Sequence, residues 1–270
     1  SLNTVDASIE LADQFKVPLI LIASRRQIDS KKFGGGYVNN WTTEEFSKYV
    51  NKKQKTNNIF LARDHGGPWQ NNNEVKKKLN TKDAIKSAKE SFEVDIVNNF
   101  GFIHIDTSID IHKNINFKNS MERLFELYSH CFEFAKKNKK SILFEIGTEE
   151  QSGSTNNFRD LQITLDRLSD FCKKNNYPLP TFVVAQAGTK VMETKNIGSF
   201  ESPIRIKNEI PVEIHLLKTL EICEKNKIYM KEHNADYLST DSLKWHPRLG
   251  IHAANVAPEF GVCESKKLVE

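Results

Sequence analysis

Short runs of apolar residues alternate along this chain with longer segments in which apolar positions recur every three or four residues. The short runs predict buried strands, and the periodic segments predict helices. Because the strands are apolar throughout and each is followed by a helix, the pattern favours a parallel sheet with both faces covered. The predicted strands end near Ala23, Asp64, Asp106, Gly147, Ala185, His233 and Ala254.

The helical segments carry the expected end signals and amphipathic spacing. The segment Thr42–Lys53 opens with Thr-Thr-Glu-Glu, an N-terminal cap followed by acids in the first turn. The segment Asn119–Lys137 places its apolar side chains at helical spacing. Further helices are predicted over Thr4–Phe15, Thr81–Asn98, Phe158–Asn175 and Pro211–Asn226, with a helical turn at Asp241–His246.

This alternation predicts an α/β fold of the (β/α)8 TIM-barrel type, which requires eight strands. Seven strands are counted, and the chain opens in a helix-like segment. The first strand is therefore predicted to be missing or to lie outside this chain. No repeat, low-complexity tract or linker interrupts the pattern, so we expect a single barrel domain over residues 1–270.

Composition narrows the class of protein. The 270 residues are 38% hydrophobic, enough for a large core, and the net charge of +4 comes from mixed lysines and acids that do not indicate nucleic-acid binding. The four cysteines are far apart, without CxxC spacing, which favours reduced thiols in a cytoplasmic protein. No signal peptide or long apolar span is recognised, so no membrane partner is expected.

Polar side chains follow most of the predicted strands. Asp64 and His65 close one strand, and Gly66-Gly67-Pro68 stops it. Ligands and catalytic groups of parallel α/β proteins gather at this edge. A barrel would bring these ends to one rim, where imidazole, carboxylate and amide groups could share a divalent metal. Such donors suit zinc, with manganese, iron or nickel as alternatives, better than calcium.

Other conspicuous residues admit plainer interpretations. Arg25 and Arg26 follow the first predicted strand and either hold a phosphate or carboxylate or pair at the surface with Asp29. The imidazoles of His104 and His112 are interpreted as structural. His215 and His246 are expected at the surface.

At this point the chain resembles a known family, on several short motifs in the same order. These are Ser24-Arg25-Arg26-Gln27, Phe33-Gly34-Gly35-Gly36-Tyr37, Asp64-His65-Gly66-Gly67-Pro68, Glu145-Ile146-Gly147-Thr148-Glu149, Gln186-Ala187-Gly188 and Glu232-His233-Asn234-Ala235-Asp236-Tyr237. Their order is similar to that of the tagatose-bisphosphate aldolase accessory-subunit family. That family is related to the zinc-dependent class II fructose- and tagatose-bisphosphate aldolases.

The resemblance implies roles for individual residues. It implies that Asp64 is a catalytic carboxylate, with Glu149 and Glu150 taking part in proton transfer. It implies metal ligands at His65, Glu145 and His233, and a weak ligand at Gln186, which stands where aldolases carry another histidine. The residues expected to bind substrate are Arg25, Arg26, Gln27, Lys190, Asn234 and Asn255.

Such a site would act on a ketose or sugar phosphate. A metal that holds the hydroxyl and carbonyl oxygens of a ketose polarises the carbonyl and stabilises an enediolate, while a carboxylate moves one proton. Retro-aldol cleavage and epimerisation both fit. The alternative is a non-catalytic accessory subunit that stabilises a tagatose-bisphosphate aldolase. The histidine missing at Gln186 favours that alternative. A second copy of the chain or an aldolase subunit is left open as partner.

Overall fold

A computed structural model describes residues 1–147, 158–185, 187–198 and 210–270. The chain forms two compact units, Ser1–Glu149 and Glu150–Glu270. In each unit parallel strands alternate with helices, the arrangement from which TIM-type barrels are built.

The first unit contains four parallel strands that are hydrogen-bonded in chain order. The strands are β1 (Leu19–Ser24), β2 (Ile59–Gly66), β3 (Phe100–Asp106) and β4 (Leu143–Gly147). The helices are α1 (Leu2–Phe15), α2 (Thr43–Lys53), α3 (Asn72–Lys76), α4 (Thr81–Val97) and α5 (Phe117–Lys137).

Helix α2 begins where the sequence places its cap. Thr42 accepts a hydrogen bond from the Glu45 backbone N–H, and the Glu45 side chain accepts one from the Thr42 backbone, which completes a capping box at α2. Helix α5 buries the apolar stripe predicted for it, and Tyr128 stacks on Phe144 of β4 with ring centroids 3.8 Å apart. Because these contacts fix α5 against the sheet, they also fix the end of β4.

The second unit contains three parallel strands in the order β5, β8, β9, together with a small antiparallel hairpin. The strands are β5 (Phe182–Ala185), β6 (Val191–Met192), β7 (Lys195–Asn196), β8 (Tyr229–Glu232) and β9 (Ala253–Ala254). The helices are α6 (Phe158–Asn175), α7 (Val212–Lys225), α8 (Thr240–Leu249) and α9 (Pro258–Val269).

The predicted α/β class and parallel strands are confirmed. The strand ends agree with the sequence to within one or two residues, whereas α3, α9 and the β6–β7 hairpin were not predicted. Within the described ranges the parallel strands number seven, so the eight-stranded barrel stays a prediction, as does the single domain over 1–270. Across the same ranges, no helix has both the length and the apolar character needed to cross a bilayer.

Two histidines expected at the surface are buried, and that expectation is wrong. His215 of α7 stacks on Phe158 with ring centroids 4.4 Å apart. His246 of α8 lies 2.5 Å from Glu232 of β8 through Nε2, and its Nδ1 donates to the Ser242 carbonyl. The Glu232 carboxylate outweighs the effect of burial, which alone would lower the pKa of His246, and the pKa is raised.

Candidate metal centre at the strand ends

The end of β2 is packed unusually closely against β3. A side chain at Gly67 would place its Cβ 2.0 Å from the carbonyl oxygen of Asp106, and one at Gly66 would place it 2.8 Å from the carbonyl oxygen of His104. The β2–β3 pairing also shifts register between Arg63 and Gly66, and His65 has a positive φ of 42°. Such irregularities redirect side chains at strand ends, and here they turn the end of β2 towards the end of β3.

Three buried side chains converge at the ends of β2, β3 and β4. Asp64, His104 and Glu145 each offer one ligand atom, and these atoms lie within 4.8 Å of one another. His104 Nδ1 is 3.2 Å from Asp64 Oδ1 and 3.5 Å from Glu145 Oε1. His104 and Glu145 are register partners on adjacent strands, which places their side chains on the same face. We call these three residues the strand-end cluster.

The position of the His104 ring depends on its backbone neighbours. The backbone N–H of His65 lies 3.2 Å from His104 Nδ1 and donates to it. A Cβ at Gly147 would lie 2.6 Å from His104 Nε2, so the ring fits only because residue 147 is a glycine. Nδ1 therefore faces the two carboxylates.

His65 lies beside the cluster and is held by another carboxylate. Its Nδ1 is 2.6 Å from Asp106 Oδ2, and its Nε2 is 3.8 Å from Asp64 Oδ2. Burial alone would lower the pKa of His65, but the charges of Asp64 and Asp106 outweigh it and raise the pKa to about 9. Burial alone would raise the pKa of Asp106, but the hydrogen bond and charge of His65 lower it.

The strand-end cluster has the donor set and the spacing of a divalent-metal site. Two atoms that bind one zinc ion at about 2.1 Å can be at most about 4.2 Å apart. The separations of 3.2 Å and 3.5 Å around His104 Nδ1 satisfy that limit. An imidazole and two carboxylates are ligands that zinc, manganese and iron accept, so these residues could hold such an ion.

The predicted substrate-binding residues of the first unit have different environments. Arg25 is buried, with Nε 3.0 Å from Asp29 and a terminal nitrogen 2.7 Å from Glu74. The pairing with Asp29 considered from the sequence is present, but in the interior and not at the surface. Arg26 is exposed, and the side chain of Gln27 accepts a hydrogen bond from the Ser24 backbone at the end of β1.

The second unit brings its own strand ends together. His233, at the end of β8, is buried, and its carbonyl accepts a hydrogen bond from the Thr189 hydroxyl at 2.6 Å. Asn255, at the end of β9, donates its backbone N–H to the carbonyl of Glu232 at 2.9 Å. The carbonyl of Asn234 accepts from Asn196 of the hairpin, whereas Lys190 is exposed.

Three predicted site residues, Glu149, Glu150 and Gln186, lie outside the described residues. In the other direction, sequence analysis assigned no functional role to His104 or Asp106. Both are on β3 two residues apart, and alternate residues of a strand face the same side. That spacing, read together with the strand end at Asp106, was the available signal.

No protein-family model matches the chain, and no curated protein matches it. Solved structures do share its fold. A probable tagatose 6 phosphate kinase from Sinorhizobium meliloti 1021 matches with a TM-score of 0.75 and 18% identity, over 94% of this chain and 62% of that chain. This chain therefore spans less than two thirds of that protein.

Two other solved structures that share the fold are described as enzymes of different reactions, an aldolase and an epimerase. The YdjI aldolase from Escherichia coli K12 matches with a TM-score of 0.53 and 14% identity, over 98% of this chain and 73% of that one. The fructuronate-tagaturonate epimerase UxaE from Cohnella laeviribosi matches with a TM-score of 0.52 and 11% identity, over 93% and 61%. At these identities the comparisons show a shared fold alone, and the accessory-subunit family stays a prediction.

Proposed function

We propose that this protein is a metal-dependent, aldolase-like enzyme that acts on a ketose or a sugar phosphate. The observation that carries the proposal is the strand-end cluster, in which Asp64, His104 and Glu145 lie within 4.8 Å at the ends of parallel strands. Solved structures of the same fold include an aldolase and an epimerase. The proposal therefore covers both retro-aldol cleavage and epimerisation.

The two most deeply buried members of the cluster are the proposed metal ligands. The side chains of His104 and Glu145 are each 2% exposed. His65 and His233 stay predicted as further ligands, and Gln186 as another. A bound divalent metal, with zinc as the first choice, would supply a Lewis acid that polarises the carbonyl group of the sugar.

Asp64 is the proposed acid and base. Its side chain is 10% exposed, more than those of His104 and Glu145, and a proton-transfer group must be reached by the substrate. In cleavage, Asp64 takes the proton of the C4 hydroxyl as the C3–C4 bond breaks. In epimerisation, a proton leaves carbon and returns on the other face. Glu149 or Glu150 is the proposed second acid.

Substrate contacts are proposed for the polar residues at the strand ends. Arg26 is better suited than Arg25 to contact a phosphate or carboxylate, because Arg25 is buried between two carboxylates. The other proposed contacts are Gln27, Lys190, Asn234 and Asn255.

The second candidate function is a non-catalytic accessory subunit that stabilises a class II tagatose-bisphosphate aldolase. The chain carries Gln186-Ala187-Gly188-Thr189-Lys190, without histidine, where the resemblance implies an aldolase metal ligand. A partner subunit could then supply the chemistry while this chain supplies stability.

The test compares Asp64→Asn with the unchanged chain on a panel of ketoses and ketose phosphates, scoring cleavage and epimerisation. We expect Asp64→Asn to retain zinc and lose activity by a factor of about 100 or more, because an amide keeps the shape but cannot transfer the proton. The exposed Asp241→Asn serves as the matched control and should keep full activity.

Two results would change this assignment. Unchanged turnover in Asp64→Asn would remove Asp64 from the mechanism. Activity that appears only after a class II aldolase is added, and survives both Asp64→Asn and His65→Ala, would establish the accessory function.

A further inference from the structure

The orientation of the His65 ring is set at one nitrogen. Nδ1 lies 2.6 Å from Oδ2 of Asp106, whose side chain is buried. A carboxylate accepts hydrogen bonds, so Nδ1 carries the proton that is donated to it. Nε2 is then the nitrogen directed towards the strand-end cluster, and it lies 3.8 Å from Oδ2 of Asp64.

Asp106 is itself held in place by two other donors. Gln70 donates from Nε2 to the same Oδ2 at 3.0 Å, and the backbone N–H of Ser108 donates to Oδ1 at 2.9 Å. With both oxygens engaged, the carboxylate has little freedom to rotate away from His65. A carboxylate fixed in this way restrains the ring as well as accepting its proton.

The backbone supports the same arrangement independently. His65 has a positive φ, which is uncommon for a residue with a side chain. Gly67 passes so close to the carbonyl of Asp106 that a Cβ there would lie 2.0 Å from its oxygen. The turn after β2 therefore holds His65 close to the end of β3.

The Asp64 carboxylate lies between the two ring nitrogens. Oδ1 of Asp64 is 3.2 Å from His104 Nδ1, and Oδ2 is 3.8 Å from His65 Nε2. Both nitrogens therefore face the carboxylate beside which His104 and Glu145 would hold the ion. Metal-binding histidines commonly donate their other ring N–H to a carboxylate, which fixes the ring and raises its basicity.

We propose that Asp106, supported by Gln70, is a positioning residue that fixes His65 with its proton on Nδ1 and directs Nε2 to the divalent metal of the strand-end cluster. The inference rests on the proposed function in requiring a metal at this site. It goes further by assigning a role to Asp106 and Gln70, and by naming the ring nitrogen through which His65 acts.

The experiment measures zinc affinity of the full chain by competition with a chromophoric chelator. We expect Asp106→Asn to bind zinc about 10- to 100-fold more weakly, the usual effect of losing a carboxylate behind a metal-binding histidine. The matched control is Asp110→Asn, in the loop after β3. It removes a carboxylate that is paired with Arg123 of α5 and should leave zinc affinity unchanged.

A second measurement separates positioning from a general loss of structure. Nitrogen-15 spectra of labelled histidines in the zinc-bound unchanged chain, with His65→Ala for assignment, should show a proton on Nδ1 of His65 and none on Nε2. In Asp106→Asn the amide can donate to Nδ1 instead, so the proton should move to Nε2, as is known for carboxylate-to-amide changes behind catalytic histidines. Asp110→Asn should leave the His65 signals unchanged.

Each outcome decides the inference. Zinc affinity and His65 signals that are unaffected in Asp106→Asn, while the unchanged chain binds zinc, overturn the positioning role and leave the proposed function intact. An unchanged chain that binds no zinc overturns both. Should Asp106→Asn fail to fold, Gln70→Met decides the matter, with a smaller weakening of zinc binding expected and unchanged affinity contradicting it.

Discussion

Strand β2 presents two adjacent charged side chains, Arg63 and Asp64, to very different surroundings. The guanidinium of Arg63 is completely buried and meets both oxygens of Asp95, at 2.8 Å and 2.6 Å. Its remaining donors reach the carbonyls of Ala23 and Ile28 and the hydroxyl of Thr43. This network balances its charge internally, and it ties α2 and α4 to the sheet.

The surroundings of Asp64 have carboxylates in excess. The carboxylates of Asp64, Glu145 and Asp106 lie around two imidazoles, so negative charge is in excess even when both rings are protonated. Buried carboxylates that face one another are unfavourable without a cation between them. Two neighbouring buried charges on β2 therefore differ in what they need. The charge of Arg63 is neutralised by Asp95, whereas the carboxylates around Asp64 are suited to bind an added ion.

The largest expected effect comes from removing Arg63 from its network with Asp95. Arg63→Met should lower the free energy of unfolding by about 3–5 kcal/mol, because it leaves the buried Asp95 carboxylate without its partner. Denaturant unfolding of the metal-free chain measures this. The exposed Arg26→Met is the control and should stay within about 0.5 kcal/mol of the unchanged chain. A small loss in Arg63→Met would show that the network is not needed for stability.

The second largest effect is expected on adding zinc, the ion that the carboxylates around Asp64 are suited to hold. Zinc at about 100 times its dissociation constant should raise the free energy of unfolding of the unchanged chain by about 2.7 kcal/mol. Glu145→Gln should lose most of this gain, because it removes a charged ligand, while staying at least as stable without metal. Glu126→Gln, an exposed acid on α5 paired with Lys89, is the control. Equal zinc effects in Glu145→Gln and the unchanged chain would place the ion elsewhere.

The smallest effect is on pH dependence. The pKa of His65 is raised to about 9 in the folded, metal-free chain, above the value of about 6.5 in the unfolded chain. Its stabilising contribution is therefore complete below pH 6.5 and is lost as pH rises through 9. The effect should be small, because the side chain is 36% exposed and solvent screens its charges.

Unfolding experiments at several pH values can test this difference. The stability advantage of the unchanged chain over His65→Gln should shrink between pH 6.5 and 9.5. The deficit of Arg63→Met should stay constant over the same range, because arginine keeps its charge. An advantage of His65 that is independent of pH would show that its charge does not contribute.

Much of the fold could be predicted because local patterns carry it. The apolar runs ended where the strands end, and Thr42 with Glu45 marked the start of α2. The short hairpin β6–β7 could not be predicted in this way, because two-residue strands show no periodicity. Likewise, His246 has the sequence surroundings of a surface residue, and only the approach of α8 to β8 buries it against Glu232.

The alternation of strands with helices can be read from the local pattern of the chain, and so can the position of Asp64, His65 and Glu145 at strand ends. These follow from chain-local physics, since periodicity, caps and glycines act over a few residues. The folded structure was needed to show that His104 lies with Asp64 and Glu145, and that Asp106, supported by Gln70, holds His65. Those contacts join residues about 40 positions apart, and they depend on strand register and on the close approach of Gly67 to Asp106, which no local pattern specifies.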